Sequence, residues 1–107
     1  ELRAPALAEL RHAVASFPRN RRYRELYAFA LMCAGEKEAL LEQAERLAAE
    51  VPDDHAAHFN LGQMFWRAGD PKRGRHHLDL SLRYAKSDEE KRDVAEQIAT
   101  LERYCGA

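Results

Sequence analysis

Residues 51–84 read VPDDHAAHFNLGQMFWRAGDPKRGRHHLDLSLRY, and the rest of the chain looks like earlier and partial copies of them. Its apolar residues recur every three or four positions on both sides of Gly69-Asp70, a spacing typical of amphipathic helices. Gly69 suits the left-handed end of a helix, Asp70 is a good N-cap, and Pro71 fits a first helical turn. We therefore predict two helices joined by a tight turn.

Turn-forming and small residues of this stretch repeat residues found 34 positions earlier. Three pairs carry the period: Pro18 and Pro52, Gly35 and Gly69, Ala28 and Gly62. A period of this length is typical of stacked arrays, in which no single unit can bury its apolar face alone. The same signals predict further helices at about 5–17, 21–34 and 37–50, and a last helix from Ser87 to Cys105.

The 34-residue unit resembles the tetratricopeptide repeat, a family of helix–turn–helix units. The specific part of the resemblance is Leu61-Gly62 together with Phe65 and the Gly69-Asp70 turn, and it extends over about residues 4–87. The pattern is met at small and apolar positions, whereas four positions depart from it: Arg24, Leu40, His58 and Lys86. The resemblance implies an all-α fold, a short α-solenoid of antiparallel helix pairs with a C-terminal capping helix.

The length of 107 residues suits one domain. Within a single domain over 1–107 we expect a half-repeat at 1–20, repeats at 21–54 and 55–88, and a capping helix at 89–105. The polar start of that last helix is what a capping unit requires.

The composition argues against several classes of function. Seventeen basic and eighteen acidic residues give a formal net charge of −1, so no global field favours nucleic acid or a membrane surface. The sequence has no apolar run long enough to span a bilayer, and no phosphate loop, HExxH or GxSxG motif. We therefore expect a cytoplasmic protein that is not an enzyme, with no cofactor and no small-molecule substrate.

Basic and histidine clusters leave two alternatives to weigh. Nucleic-acid binding would use two clusters, Arg19, Arg21, Arg22 and Arg24, and Lys72, Arg73, Arg75, His76 and His77. We interpret them instead as a solvated helix start and a solvated helix face, because acidic residues balance them. His55 and His58 have nearly the spacing of a helical metal pair, but His58 occupies a core position of the repeat. We therefore expect no metal.

In each predicted repeat, the face of the first helix that points away from the core carries large apolar residues. A solvent-exposed face would normally carry polar ones. By resemblance, these helices line the concave side of the array. The predicted partner-binding groove has an apolar floor and polar edges, and it comprises Arg22, Phe29, Met32, Phe59, Asn60, Gln63, Trp66 and Arg67. The alternative, that Phe29 and Phe59 are packed between repeats, stays open at this point.

Such a groove suits an amphipathic helix or an extended peptide. The sequence therefore predicts a protein–protein interaction scaffold that binds a peptide or partner helix. Self-assembly is an alternative, because the half-repeat leaves apolar residues such as Leu7 and Leu10 without a cover and a homodimer would bury them. A third possibility is an accessory segment of a larger enzyme, a signalling protein or a bacterial secretion chaperone.

Overall fold

The computed structural model describes residues 3–105, and the side chains of residues 7–105. This part of the chain consists of helices and connecting turns, without strands. The six helices are α1 (Arg3–Ser16), α2 (Arg21–Ala34), α3 (Lys37–Ala48), α4 (His55–Arg67), α5 (Pro71–Tyr84) and α6 (Asp88–Tyr104). The predicted all-α class is confirmed. Residues 1–2 of the predicted half-repeat, and residues 106–107 of the predicted domain, lie outside the described residues.

Local capping explains most of the helix boundaries, although α1 begins at Arg3 and α3 ends at Ala48, each about two residues before the predicted position. The chain leaves α2 and α4 through Gly35 and Gly69, whose φ angles of 75° and 99° are strained for any residue with a side chain. Four helices begin at a side chain that accepts the backbone N–H three residues later: Asn20, Asp54, Asp70 and Ser87. The turns therefore need no distant contacts to form.

The helices pack in an order that follows the chain. Each helix contacts the next one, and α4 additionally contacts α2 and α6. Thus α2, α4 and α6 lie side by side, and we call them the inner row. Within the described residues, α1, α3 and α5 contact only members of this row.

The closest helix crossing is between α4 and α5, where two glycines face each other. A Cβ added to Gly62 would lie 2.6 Å from Leu78 Cγ, and one added to Gly74 would lie 2.8 Å from the carbonyl oxygen of Gly62. Neither distance is sterically possible without a shift of the backbone. Leu78 is fully buried at this crossing, so the two glycines allow backbone and core to meet directly.

A polar contact joins each of the pairs α2–α3 and α4–α5 at positions 34 residues apart. Arg24 Nη1 donates to Gln43 Oε1 over 2.9 Å. His58 Nδ1 lies 3.0 Å from His77 Nδ1, so one imidazole donates and the other accepts. Position 58 corresponds to position 24, and position 77 to position 43. The same place in both pairs therefore holds a buried hydrogen bond.

A second contact repeats with the same offset. Arg21 Nη1 donates to the carbonyl oxygen of Leu47 at the end of α3. His55 Nδ1 lies 3.1 Å from the carbonyl oxygen of Ser81 near the end of α5. In both pairs, the first residue of the inner helix thus contacts the backbone of the last turns of its partner helix.

Candidate functional site

An open cleft of about 220 Å³ lies between α2 and α4 of the inner row. We call it the α2–α4 cleft. Eight residues line it: Arg22, Glu25, Leu26, Phe29 and Met32 from α2, and Asn60, Gln63 and Met64 from α4. Five of the eight residues predicted for the groove, Arg22, Phe29, Met32, Asn60 and Gln63, are therefore brought together in one place.

The floor of the cleft is apolar and open to solvent. The Phe29 side chain is 57% exposed and Leu26, one helical turn before it, is 37% exposed. Met32 is half-buried, and Met64 is buried below them in the core. Contiguous exposed apolar residues rimmed by polar ones are typical of interaction sites. Phe29 is thus not packed between helices.

The two rims of the cleft are polar. On the α4 side, Gln63 is fixed, since its Oε1 accepts a hydrogen bond from Gln97 of α6 over 3.1 Å. On the α2 side, Glu25 is held 3.2 Å from Arg21 in an ion pair. Arg22 and Asn60 are exposed, and within residues 7–105 their side chains have no hydrogen-bond partner. Both rims therefore present polar groups to a bound molecule.

Trp66 does not line this cleft; together with Met32 and Arg67, it borders a second cleft beside the end of α6. Its exposed fraction is only 4%, and it packs with Leu78, Val94 and Leu101 in a core cluster between α4, α5 and α6. Gly74 lies directly against Trp66 Cβ. The face of α4 that carries Trp66 is covered because α6 packs there.

Phe59 and Arg67 also lie outside the α2–α4 cleft. Phe59 is half-buried, packs against the Trp66 cluster and stacks on His55 with ring centroids 5.8 Å apart. For Phe59, the alternative of packing between helices is thus the one observed. Arg67 is exposed and lines a second cleft of about 400 Å³ beside the end of α6, which Met32 also borders.

Three lining residues are absent from the predicted groove: Glu25, Leu26 and Met64. Glu25 and Leu26 lie on the same face of α2 as Arg22 and Phe29, so their helical spacing already placed them beside the predicted residues. Met64 has no such signal, since it is a buried core residue that reaches the cleft from below.

The paired histidines between α4 and α5 are buried, and burial favours their neutral forms. Burial, and to a lesser extent the neighbouring His58, lowers the pKa of His77 to about 4, and burial also lowers the pKa of His58. The rings of Phe65 and Tyr84 stack on the outer sides of the pair, with centroids 5.4 and 5.5 Å away. The pair is thus enclosed by aromatic rings.

Another polar pair on the same helices involves a serine. The hydroxyl of buried Ser81 donates to the carbonyl oxygen of His55 over 2.9 Å. The same hydroxyl lies 3.0 Å from His55 Nδ1, so His55 and Ser81 hold α4 to α5 through two contacts. Within the described residues, no group of three or more histidine, cysteine, aspartate or glutamate side chains has the arrangement of a metal site.

The two basic clusters are less solvated than the sequence predicts. Arg24 in the first cluster and His77 in the second are buried. In the second cluster, Arg73 pairs with Glu45 and Asp70, whereas Arg75 pairs with Asp79 and Glu102. The interpretation as solvated charges therefore fails for one member of each cluster.

None of the helices within residues 3–105 is both long and apolar enough to cross a lipid bilayer. In comparisons with known proteins, no family model matches the chain, and neither a curated protein nor a solved structure is found that matches it.

Proposed function

We propose that this chain is a protein-interaction domain that binds a peptide or a partner helix in the α2–α4 cleft. The observation that carries the proposal is the position of Phe29. Its ring is more than half exposed, yet it stands beside Leu26 and Met32 in a concave site with polar rims. Leaving this apolar area in water is unfavourable, and an apolar side chain of a partner would cover it.

In this proposal the chain is a short α-solenoid of 34-residue units of the tetratricopeptide type. Supporting observations are the hydrogen bonds that recur at this offset, Arg24–Gln43 with His58–His77, and the left-handed glycines 34 residues apart. The inner row of α2, α4 and α6 supplies the concave wall. Such a wall positions residues from two consecutive units on one ligand.

The chemistry of the cleft defines the kind of partner. An amphipathic helix or an extended segment would place an apolar anchor on Phe29 and Leu26. Arg22 and Asn60, whose side chains bind nothing within the described residues, would contact polar groups that flank the anchor. The guanidinium of Arg22 favours a carboxylate or a backbone carbonyl, whereas the amide of Asn60 both donates and accepts.

Selection of peptides from a random display library tests the proposal, because it requires no identified partner. The wild-type chain is immobilised, binding peptides are selected, and their affinities are measured by fluorescence anisotropy. We expect Phe29→Ala to weaken binding about tenfold or more, as truncation of an aromatic anchor does. Phe17→Ala is the matched control, because Phe17 is 58% exposed but lies outside the cleft. We expect it to leave the affinity unchanged.

Two results would overturn the proposal. One is equal affinity of the selected peptides for the Phe29→Ala and Phe17→Ala variants. The other is a wild-type dimer in sedimentation that dissociates in Phe29→Ala. That result would assign the cleft to contact between two copies of the chain, the alternative of self-assembly.

A further inference from the structure

A cavity larger than the α2–α4 cleft lies apart from it. Its volume is about 470 Å³, and it opens where the connection from α1 to α2 meets the end of α3. Its lining residues are Pro18, Arg19, Arg21, Arg24, Arg46, Ala49 and Glu50. None of them lines the α2–α4 cleft. Four arginines thus face one cavity in which Glu50 is the only acidic lining residue, and we call it the arginine cavity.

Arg24 is the unusual member of this set. It is only 8% exposed, and its guanidinium donates to Gln43 Oε1 and to the carbonyl oxygen of Pro18, both neutral acceptors. Within the described residues, no carboxylate lies within ion-pair distance of it. A buried cation without a counter-ion is unfavourable, so proteins normally pair it with an anion.

The electrostatic surroundings of Arg24 agree with this interpretation. Its pKa is lowered, first by burial and second by the positive charge of Arg46, while Glu42 acts in the opposite direction. Glu42 itself forms an ion pair with Arg46 over 3.3 Å. Arg24 and Arg46 therefore repel each other across the cavity, and an anion between them would relieve the repulsion.

The side chains of the other arginines differ in how firmly they are held by neighbouring groups. Arg21 is fixed, because it pairs with Glu25 and donates to the carbonyl oxygens of Leu47 and Glu50. Arg19 is exposed and forms no ion pair with any described residue. The cavity therefore combines two guanidinium groups in fixed positions with the exposed Arg46, which pairs with Glu42, and with Arg19, which can adjust to a ligand.

We propose that the arginine cavity binds a phosphate group, either of inorganic phosphate or of a small phosphate ester, between Arg24, Arg46 and Arg19. The guanidinium fork matches the geometry of phosphate oxygens and can donate two parallel hydrogen bonds. Arg24 retains N–H groups beyond the two that bind Gln43 and Pro18, since a guanidinium has five. The volume leaves space for the organic part of an ester.

The test is a titration of the ¹⁵N-labelled chain followed by NMR at constant ionic strength. Inorganic phosphate is the first probe and ribose 5-phosphate the second, each compared with sodium chloride. We expect saturable shifts of backbone amides at 19–24 and 46–50 with phosphate but not with chloride. Tighter binding of ribose 5-phosphate would assign the cavity to an ester, and tighter binding of phosphate would assign it to the free ion.

Variants that remove the same charge distinguish phosphate binding in the cavity from non-specific electrostatic attraction to the chain. The double variant Arg19→Gln/Arg46→Gln removes two exposed cations of the cavity, and we expect it to bind phosphate at least about tenfold more weakly. The control Arg83→Gln/Arg92→Gln removes the same charge from exposed positions on α5 and α6. We expect it to bind as the wild type does.

A third variant addresses Arg24 without removing it. Gln43→Glu places a carboxylate at the position that Arg24 already contacts, so the arginine gains an internal counter-ion and phosphate loses its main attraction. We expect binding to fall below detection while the helical circular dichroism is kept. Shifts that never saturate, equal affinity of both double variants, or unchanged affinity of Gln43→Glu would each overturn the proposal.

Discussion

The helix pairs α2–α3 and α4–α5 share one layout, but their cores are built differently. In α4–α5, Gly62 and Gly74 let the two backbones touch. The corresponding residues of α2–α3, 34 positions earlier, are Ala28 and Leu40, both fully buried. The main chains of α4 and α5 are therefore in direct contact, whereas the side chain of Leu40 fills the space between α2 and α3.

The polar contact of each pair differs in charge. His58 and His77 form a neutral pair that aromatic rings enclose. Arg24 and Gln43 occupy the equivalent place, but the cation faces the arginine cavity. The comparison shows that this layout sets where a hydrogen bond forms, whereas the residues at that place differ in charge and in whether they line an open cavity.

The largest effect that distinguishes the two pairs is expected from Gly62→Leu. A Cβ alone would already meet Leu78 Cγ and the carbonyl oxygen of Gly74 at distances of 2.6 and 2.9 Å. We expect the free energy of unfolding to fall by about 3 kcal/mol or more, because this crossing cannot widen without disturbing α5. Urea denaturation followed by circular dichroism measures it.

Ala99→Leu on the exposed side of α6 is the control for added volume, and we expect a change within about 0.5 kcal/mol. If Gly62→Leu were as stable as that control, the direct contact of main chains between α4 and α5 would be contradicted.

The second effect is a pH dependence of the free energy of unfolding. It comes from the histidine pair of α4–α5 and has no counterpart in α2–α3. The pKa of His77 is about 4 in the folded chain and near 6.5 when unfolded. Between these values only the unfolded chain gains the proton, so stability falls as the pH is lowered from 6.5 to 4 and this contribution stays constant below. From about pH 7 to about pH 4.5 we expect a loss of about 2–3 kcal/mol.

His77→Gln should reduce this pH dependence, because glutamine does not titrate and can still bind His58. His12→Gln, which changes an exposed histidine of α1, should leave it as in the wild type. Urea denaturation at a series of pH values measures both variants. Identical pH profiles of the two variants would show that the histidine pair is not the source of the effect.

The all-α class and the approximate helix positions were predictable because their signals are local. Glycines at left-handed turns, prolines at helix starts and ends, and N-cap side chains act within a few residues of their own positions. The helix boundaries therefore follow from short stretches such as Gly69-Asp70-Pro71. The periodic recurrence of these signals also indicated where the contacts 34 residues apart would lie.

The candidate site was predictable only in part, because neighbouring helices decide which face is covered. Phe29 and Trp66 occupy similar faces of α2 and α4, but α6 packs over Trp66 and leaves Phe29 open. Helical spacing assigns both residues to the same face of the predicted array. It does not indicate that α6 packs over only one of them. Likewise, the burial of Arg24 depends on contacts with Gln43 and Pro18, which no local pattern indicates.

The smallest expected change in stability comes from Gln43→Glu, and it tests the charge of Arg24 in the α2–α3 pair directly. The new carboxylate would pair with Arg24 in a buried site that lacks a counter-ion, so we expect the free energy of unfolding at about pH 7 to rise by about 1 kcal/mol. Gln43→Met is the control at the same position. It removes the acceptor without adding charge, and we expect it to destabilise by about 1–3 kcal/mol because Arg24 Nη1 loses its partner.

Stability falls on acidification in both pairs, so the pH range of the loss, not its sign, separates this pair from the histidines. Arg24 would lower the pKa of the new carboxyl below its unfolded value of about 4.3. The gain in stability is then present above that value and disappears as the pH falls through the lowered pKa. In the wild type, by contrast, the histidine contribution is already lost between pH 6.5 and 4. Urea denaturation of Gln43→Glu at about pH 7 and about pH 3 measures the difference, and a variant less stable than wild type at pH 7 would contradict an uncompensated charge on Arg24.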